Sequence, residues 1–333
     1  MSKQLGVDLG TSNTLIYVKG KGIVLREPSV VVTDRQHRKA LAVGEEAKKM
    51  LGKTPGTIEA QFPLKDGVIA DFDVTARMLS SFFSKIHAGG IISQPSVLIC
   101  VPQGVTEVER RAVEDATYEA GARKVALIPE PVAAAIGSGL KIDGPRGSMI
   151  VNLGGGSTEV AVLSLEGIVV SSSTKIAGNQ FDEAIVQYMK DEHQVLIGKA
   201  TAEALKKNVG SVHASADIGE LEIRGNDLRT GLAAELSVTS AEVRRAVAGP
   251  VGQIIEVIRR TLASTPPELS ADILNYGIML AGGGALLRGL PKLISEQTGV
   301  RVTVAKQPLE SVVRGLGRLI EGGTDFGYEF RAR

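Results

Sequence analysis

Apolar positions fall into two kinds of run along the chain. Short continuous runs read as buried strands: SVLICVP (96–102), KVALIP (124–129) and RVTVA (301–305). They alternate with stretches whose apolar residues recur every three to four positions, the mark of a helix with one buried face. In 73–89 these are Val74, Met78, Leu79, Phe82, Phe83 and Ile86, with glycine following as a stop. In 106–122, Thr106 and Glu109 form a capping box and Gly121 closes the helix. A third helix is expected over 182–198, opening at Asp182. A fourth opens at Ser240, is kinked or broken near Gly249-Pro250, and resumes to about Ala263. Strands alternating with helices predict an α/β architecture with mixed sheets. Two polar, strand-like stretches, 27–44 and 213–240, read as insertions.

Three segments share a further design, an apolar strand running into small residues. The first is LGVDLGTSNTLIYVKGKGIVL (5–25). The second, SMIVNLGGGSTEVAVLSLEGIVV (148–170), repeats it as strand, glycine turn, strand. Asp8-Leu9-Gly10-Thr11 aligns with Asn152-Leu153-Gly154-Gly155, and Thr14 with Thr158. The third, YGIMLAGGGALLRGL (276–290), is a strand followed by three glycines and a helix expected from about Ala285. Two copies of one supersecondary unit imply a duplicated, two-lobed protein.

Composition sharpens this picture. Glycine is abundant, 39 of 333 residues, and it clusters after apolar runs, where it lets backbone approach a ligand. Lys plus Arg is 38 against 37 for Asp plus Glu, a net charge of +1, which removes the electrostatic case for a nucleic-acid partner. Aromatics are 4% and tryptophan is absent, which disfavours stacking surfaces. The single cysteine, Cys100, excludes an internal disulfide framework, reads as a buried strand residue and suits a reducing compartment. The start, MSKQLGVDLG, lacks the apolar stretch of a signal peptide, and no run is long enough to span a membrane. The histidines, His37, His87, His193 and His213, have no metal-ligand spacing and are expected at the surface.

The glycine turns carry the candidate chemistry. Consecutive backbone N–H groups in a tight turn form a nest for anions, phosphate above all. Gly10, Thr11, Ser12 and Asn13 fit that role, as do Gly154, Gly155, Gly156, Ser157 and Thr158, and two such turns facing one cleft would clamp a polyphosphate. Competing motifs fail: Ala47 stands where a P-loop ending at Gly52-Lys53-Thr54 needs its first glycine, and Glu159 and Leu287 interrupt any G-x-G-x-x-G. Asp8, at a strand end beside the first turn, suits a Mg²⁺ ion or serves as a turn cap. Glu130, where a strand ends and Pro131 starts a helix, can orient or deprotonate a water, or simply favour the helix dipole.

Seven segments together resemble the MreB family of bacterial actin homologues: VDLGTSNTLIY, KDGVIADF, VPQGVTEVERRAV, EPVAAAIGSGL, NLGGGSTEVAVLSL, TPPELSADI and LAGGGALLRGL. The resemblance spans almost the whole chain in order. It implies an actin-like duplicated ATPase fold, with core IA at 1–31, 76–140 and 311–333, insertion IB at 32–75, core IIA at 141–181 and 247–310, and insertion IIB at 182–246. It implies ATP and Mg²⁺ as cofactors, with Asp8 in the metal shell and both turns on the phosphates. Glu130, assisted by Thr158, would position the attacking water. Gly282, Gly283 and Gly284 would pack against the adenosine, and Lys206 and Asn208 would approach the nucleoside.

The resemblance also implies assembly with further copies of itself into filaments on the inner face of the cell membrane. There they would guide lateral wall synthesis and rod shape with membrane proteins of cell-wall elongation. Ile91 and Ile92, in HAGGIISQPS (87–96), would be the membrane-inserting pair. The chain departs from the family pattern where Asn152 replaces Asp before L-G-G-G, where Gly178-Asn179 replaces G-D, and where Asn208 replaces Glu in K-I-E-I-G. Each change removes a carboxylate near the nucleotide, which implies slow or absent hydrolysis with phosphate clamping intact; a drifted relative in which Asp8 and Glu130 suffice is the alternative. A small-molecule kinase of the same superfamily and a non-polymerising nucleotide-dependent adaptor are the rival functions.

Overall fold

A computed structural model describes residues 3–36, 40–87, 94–322 and 328–332. The chain divides into two compact units.

The first unit holds Met1–Pro145, Leu163–Ile168 and Leu309–Arg333. Its main sheet has six strands in the order Arg331–Ala332, Lys124–Pro129, Ser96–Val101, Gln4–Leu9, Asn13–Val18, Gly22–Pro28. The three strands Lys124–Pro129, Ser96–Val101 and Gln4–Leu9 run parallel, and the last of them turns back antiparallel into Asn13–Val18. Ser96–Val101 is buried at every position, as its unbroken apolar run requires of a central strand. A small antiparallel sheet of Ala40–Val43, Val31–Asp34 and Ile58–Gln61 follows, then a two-stranded hairpin, Leu64–Lys65 with Val68–Ile69. The hairpin closes on Asp66 and Gly67, both at positive φ (54° and 85°), as an Asp-Gly two-residue turn demands. The helix Phe72–His87 buries Met78, Leu79 and Phe82 against Val7, Ile16 and Ile99. Helix Glu107–Glu119 starts with the expected capping box on Thr106 and Glu109.

The second unit holds Arg146–Val162 and Val169–Pro308. Its sheet runs Gly167–Thr174, Thr158–Ser164, Ser148–Leu153, Ile278–Ala281, Val302–Val304, with a separate three-stranded sheet of Val195–Leu196, Glu220–Asp227 and Ala233–Thr239. Both Ser148–Leu153 and Thr158–Ser164 are buried throughout. The core gathers Met149, Val160, Phe181, Ile254 and Leu280.

Four local expectations are corrected. The helix placed at 182–198 is Gly178–His193: it begins one turn earlier, and Gln194 in the left-handed region ends it before the strand Val195–Leu196. The helix after 240 is capped by Thr239, not Ser240, and runs unbroken over Ser240–Ala263 with Pro250 inside. After the triple glycine comes a 3₁₀ turn, Gly283–Leu286; the α-helix starts only at Leu290. His193 and His213 are half-buried, paired with Glu242 at 2.8 Å and Glu296 at 3.3 Å, rather than free at the surface. Cys100 is buried as expected.

Candidate functional site

In the first unit the turn between Gln4–Leu9 and Asn13–Val18 closes with the Gly10 N–H donating to the Asn13 carbonyl at 3.1 Å. A β-carbon on Gly10 would sit 2.8 Å from that same oxygen, so only glycine allows the closure. The turn is braced from two sides. Ser29 donates its N–H to the Ser12 carbonyl (3.0 Å) and its hydroxyl to the Gly10 carbonyl (2.6 Å). The tip of the Asp-Gly hairpin donates the Gly67 N–H to Thr11 Oγ1 at 3.0 Å. Thr11 is therefore buried and its side chain is spent on holding the turn.

Asp8 ends the preceding strand. Its carboxyl is pushed up to about 8, first by burial and then by the negative charge of Glu130, with the Cys100 thiol pulling the other way. Cys100 Sγ lies 3.7 Å from Asp8 Oδ1. Glu130 is the first residue of the helix Glu130–Ser138, whose start is preset by Pro129 and Pro131. The structure thus brings Asp8 and Glu130 within electrostatic reach of each other, a pair whose repulsion a divalent cation would relieve.

The second unit repeats the turn. Gly154 N–H donates to the Ser157 carbonyl at 2.9 Å, and a β-carbon on Gly154 would lie 3.0 Å from that oxygen. The bracing is different. The first turn of helix Gly178–His193 donates two N–H groups to it, Gly178 to the Gly154 carbonyl (3.2 Å) and Asn179 to the Gly155 carbonyl (2.8 Å). Thr158, fully buried, donates its hydroxyl to the Ile176 carbonyl at 2.7 Å. Gly282, at φ 80°, packs so tightly on Leu153 that a β-carbon would be 2.2 Å from the Leu153 oxygen, and one on Gly284 would meet the Leu153 side chain at 2.8 Å. These two glycines are thus required by contact with the strand leading into the turn. Asn152, on that strand, is buried.

Lys206 reaches across from helix Lys199–Asn208. Its Nζ lies 2.7 Å from Asp182 Oδ1 and donates to the Gly178 carbonyl at 2.9 Å. Asn208, at the end of the same helix, donates its side-chain amide to the Ala204 carbonyl at 2.8 Å. Ile91 and Ile92 lie outside the described residues. Sequence reading missed Ser29, Gly67 and Asp182. The Asp-Gly pair was a visible turn signal, whereas the partners of Ser29 and Asp182 are set by tertiary contacts.

Among the described residues no group of three His, Cys, Asp or Glu side chains could hold a metal ion by itself. A cation at Asp8 would take most of its shell from water and from a ligand's oxygens, as Mg²⁺ does beside phosphates. In the first unit the Asp8–Glu130 pair beside the Gly10–Asn13 turn has the chemistry that a metal-bound phosphate calls for.

A family model described as MreB/Mbl protein matches residues 2–326. The chain belongs to the MreB/Mbl family. It is 50% identical over 326 residues to the cell shape-determining protein MreB of Escherichia coli (strain K12), covering 96% of this chain and 94% of that one. It is 48% identical over 320 residues to the cell shape-determining protein Mbl of Bacillus subtilis (strain 168), covering 96% of each. Among solved structures, MreB5 of Spiroplasma citri bound to ADP superposes with a TM-score of 0.91 at 36% identity, covering 97% of this chain and 99% of that one. The same protein bound to AMPPNP gives the same values. A MamK double helical filament, 24% identical with a TM-score of 0.81 over 96% of this chain and 99% of that one, shares the fold. The fold of this MreB/Mbl chain is therefore the actin-like ATPase fold, and its curated relatives are cell shape-determining proteins.

Proposed function

We propose that this MreB/Mbl chain binds ATP with Mg²⁺ and polymerises into filaments at the inner face of the cell membrane, where they guide wall synthesis and maintain rod shape. The observation that carries the reading is the repeated turn. Each unit holds a strand–glycine–strand turn closed by the same N–H to carbonyl bond three residues along, with the accepting oxygen 2.8 Å (Gly10) and 3.0 Å (Gly154) from where a β-carbon would sit. The solved relative carrying ADP or AMPPNP supports a nucleotide as the ligand, and the MamK filament supports assembly.

In this reading the Gly10 and Gly154 N–H groups close the two turns, and other backbone N–H groups of Gly10–Asn13 and Gly154–Ser157 bind phosphate oxygens. Asp8 would face the cation shell as the carboxylate, since a divalent charge would offset the effect of burial and of Glu130. Glu130, fixed at a helix start, orients the attacking water. Thr158 acts on that water only through the segment 176–179 that its hydroxyl holds. Gly282 to Gly284 shape the base of the second turn, where the adenosine packs. Mg²⁺ supplies charge neutralisation of the phosphates.

Hydrolysis is slow in this reading because Asn152 places a neutral amide where a carboxylate would order the cation's water. No helix among the described residues is long and apolar enough to cross a membrane. Membrane association is assigned to Ile91 and Ile92, multiplied by avidity along a filament, and the remaining partners are the membrane proteins of wall elongation.

The test is sedimentation and electron microscopy of the purified chain with ATP, ADP or neither, with Mg²⁺. Pelleted filaments with ATP are expected. Nucleotide binding without any polymer would replace the cytoskeletal reading with that of a nucleotide-dependent adaptor. ADP production that depends on an added sugar would replace it with that of a kinase.

A further inference from the structure

Three contacts tie the Gly154–Ser157 turn to one short segment: Thr158 to the Ile176 carbonyl, and the Gly178 and Asn179 N–H groups to the Gly154 and Gly155 carbonyls. That segment is itself held by Lys206, which binds the Gly178 carbonyl and Asp182 together. Everything converges on Gly178. A β-carbon built there would lie 3.4 Å from the Gly154 oxygen, 3.6 Å from the Gly155 α-carbon and 3.6 Å from Lys206 Nζ.

The placement of this lysine calls for a reason. A cation in the first turn of a helix opposes the helix dipole, which favours anions there. Lys206 and Asp182 side chains are only 16% and 12% exposed, so both charges have been taken out of water. Burial pushes the Asp182 carboxyl up, and Lys206 counters it. A buried ion pair of this kind adds little stability over well-packed apolar residues, but it fixes geometry, because each charge must stay on its partner. The lysine's second bond, to the Gly178 carbonyl, points that geometry at the turn.

We infer that Lys206 is a positioning residue, which with Asp182 forms a strut from helix Lys199–Asn208 to the phosphate-binding turn at Gly154–Ser157 and holds that turn's N–H groups in their binding arrangement. It does not contact the nucleoside, as the family resemblance alone would have it. The inference rests on the nucleotide reading above. It adds that the strut selects for the phosphate chain of the ligand and couples the turn to the 195–239 part of the second unit, which helix Lys199–Asn208 joins on its way to Glu220–Asp227.

The test uses the full chain and a fluorescent ATP analogue displaced by ATP, by tripolyphosphate or by adenosine. Lys206→Met is expected to weaken ATP and tripolyphosphate together, by about tenfold, and to leave adenosine within twofold. Lys206→Arg, which keeps the charge and the donors, restores both to within about threefold. Asp182→Asn decides between strut and simple charge. It removes a negative charge from beside the site, so an electrostatic effect alone would tighten tripolyphosphate, whereas release of the strut weakens it.

Should Lys206→Met fail to fold, the double variant Asp182→Leu/Lys206→Met removes both charges at once and carries the same comparison. Loss of adenosine and ATP with tripolyphosphate unchanged would overturn the inference in favour of a nucleoside contact. Unchanged binding in Lys206→Met, or tighter tripolyphosphate binding in Asp182→Asn, would overturn it outright. A wild-type chain that binds none of the ligands refutes the nucleotide reading instead, so the two failures are told apart.

Discussion

Gly315→Ala tests how Glu130 is held. The helix Glu130–Ser138 packs on Ser311–Ile320 with glycine on both sides of the contact. A β-carbon on Gly315 would lie 1.9 Å from the Ala133 carbonyl oxygen and 2.6 Å from its carbon, and one on Gly137 would lie 1.7 Å from the Ser311 oxygen. These are backbone atoms, so no side-chain rotation relieves the clash. Ordinary van der Waals contact begins near 3.4 Å, so the two helices would have to part by about 1.5 Å within a close-packed core. They cannot part freely. Around the same helix a β-carbon on Gly6 would lie 2.8 Å from the Leu316 side chain and one on Gly317 2.6 Å from the Tyr17 ring, and Arg318 binds the Ile136 carbonyl.

Overpacking of this kind costs about 1–3 kcal/mol and sometimes more, and a backbone clash on two helices belongs at the top of that range. For a unit of this size about 3 kcal/mol lowers Tm by about 6–12 °C. Gly252→Ala is the control. It lies exposed inside helix Ser240–Ala263, nothing stands within 4 Å of its added β-carbon, and alanine there should gain about 0.8 kcal/mol, raising Tm by about 2 °C. Thermal unfolding followed by circular dichroism at 222 nm reads both. A Gly315→Ala chain melting within 2 °C of wild type would refute the close-approach argument, and with it the claim that this pair of glycines fixes the start of the Glu130 helix.

Other outcomes follow from the same geometry. Without nucleotide or Mg²⁺, the folded pKa of Asp8 near 8 stands above its unfolded value of 3.8, so ionising it opposes folding; wild type should lose Tm between pH 4 and 8 relative to Asp8→Asn, and parallel Tm-against-pH curves would rule this out. Thr239→Ala removes a reciprocal cap with Glu242 and should cost about 1 kcal/mol, read as a lowered urea midpoint; an unchanged midpoint would contradict it. Asn152→Asp should raise Mg²⁺-dependent phosphate release by at least about tenfold, since a carboxylate about 5 Å from a divalent ion contributes several kcal/mol at an effective dielectric near 20; equal rates in variant and wild type would place slow turnover elsewhere. Ile91→Ser/Ile92→Ser should pellet less with liposomes than wild type, and equal pelleting would reject this pair as the anchor.

Much of this was legible before any coordinates. Continuous apolar runs marked the central strands because a strand covered on both faces has no polar alternation to confuse it. The capping box on Thr106 and the repeated Asp/Asn-Leu-Gly turn are local chemistry, and local chemistry is written in the sequence. The misplacements are equally physical. Asp182 looked like a helix start because Asp favours that position, yet the helix already begins at Gly178, and the carboxylate is buried on Lys206. Gly249-Pro250 reads as a kink or a break; the helix is not broken there but continues through Pro250. Gly282 and Gly284 have a second reason to be glycine that the sequence does not display, their close packing on Leu153. The partner of Asp182 stands 24 positions away in sequence, which periodicity cannot see.

The duplication explains why the two turns should be perturbed separately. Their closing bonds are equivalent, and in both the accepting oxygen crowds the place a β-carbon on the glycine would take, at 2.8 Å for Gly10 and 3.0 Å for Gly154. Their supports have no such equivalence. The first turn hangs on a serine and the tip of a two-residue hairpin, and Ser29 binds Thr14 as well, all through uncharged groups. The second is held by a helix N-terminus and a buried ion pair. Neutral hydrogen bonds tolerate small shifts, whereas a buried lysine and carboxylate lose several times more when separated. Substitutions in the first support should therefore give graded losses of nucleotide affinity, and those in the second should give steep ones. Ser29→Ala and Lys206→Met, compared by the same ATP displacement measurement, put that asymmetry to the test: a steeper loss in Ser29→Ala would mean that the charge on Lys206 plays no larger part than an ordinary hydroxyl.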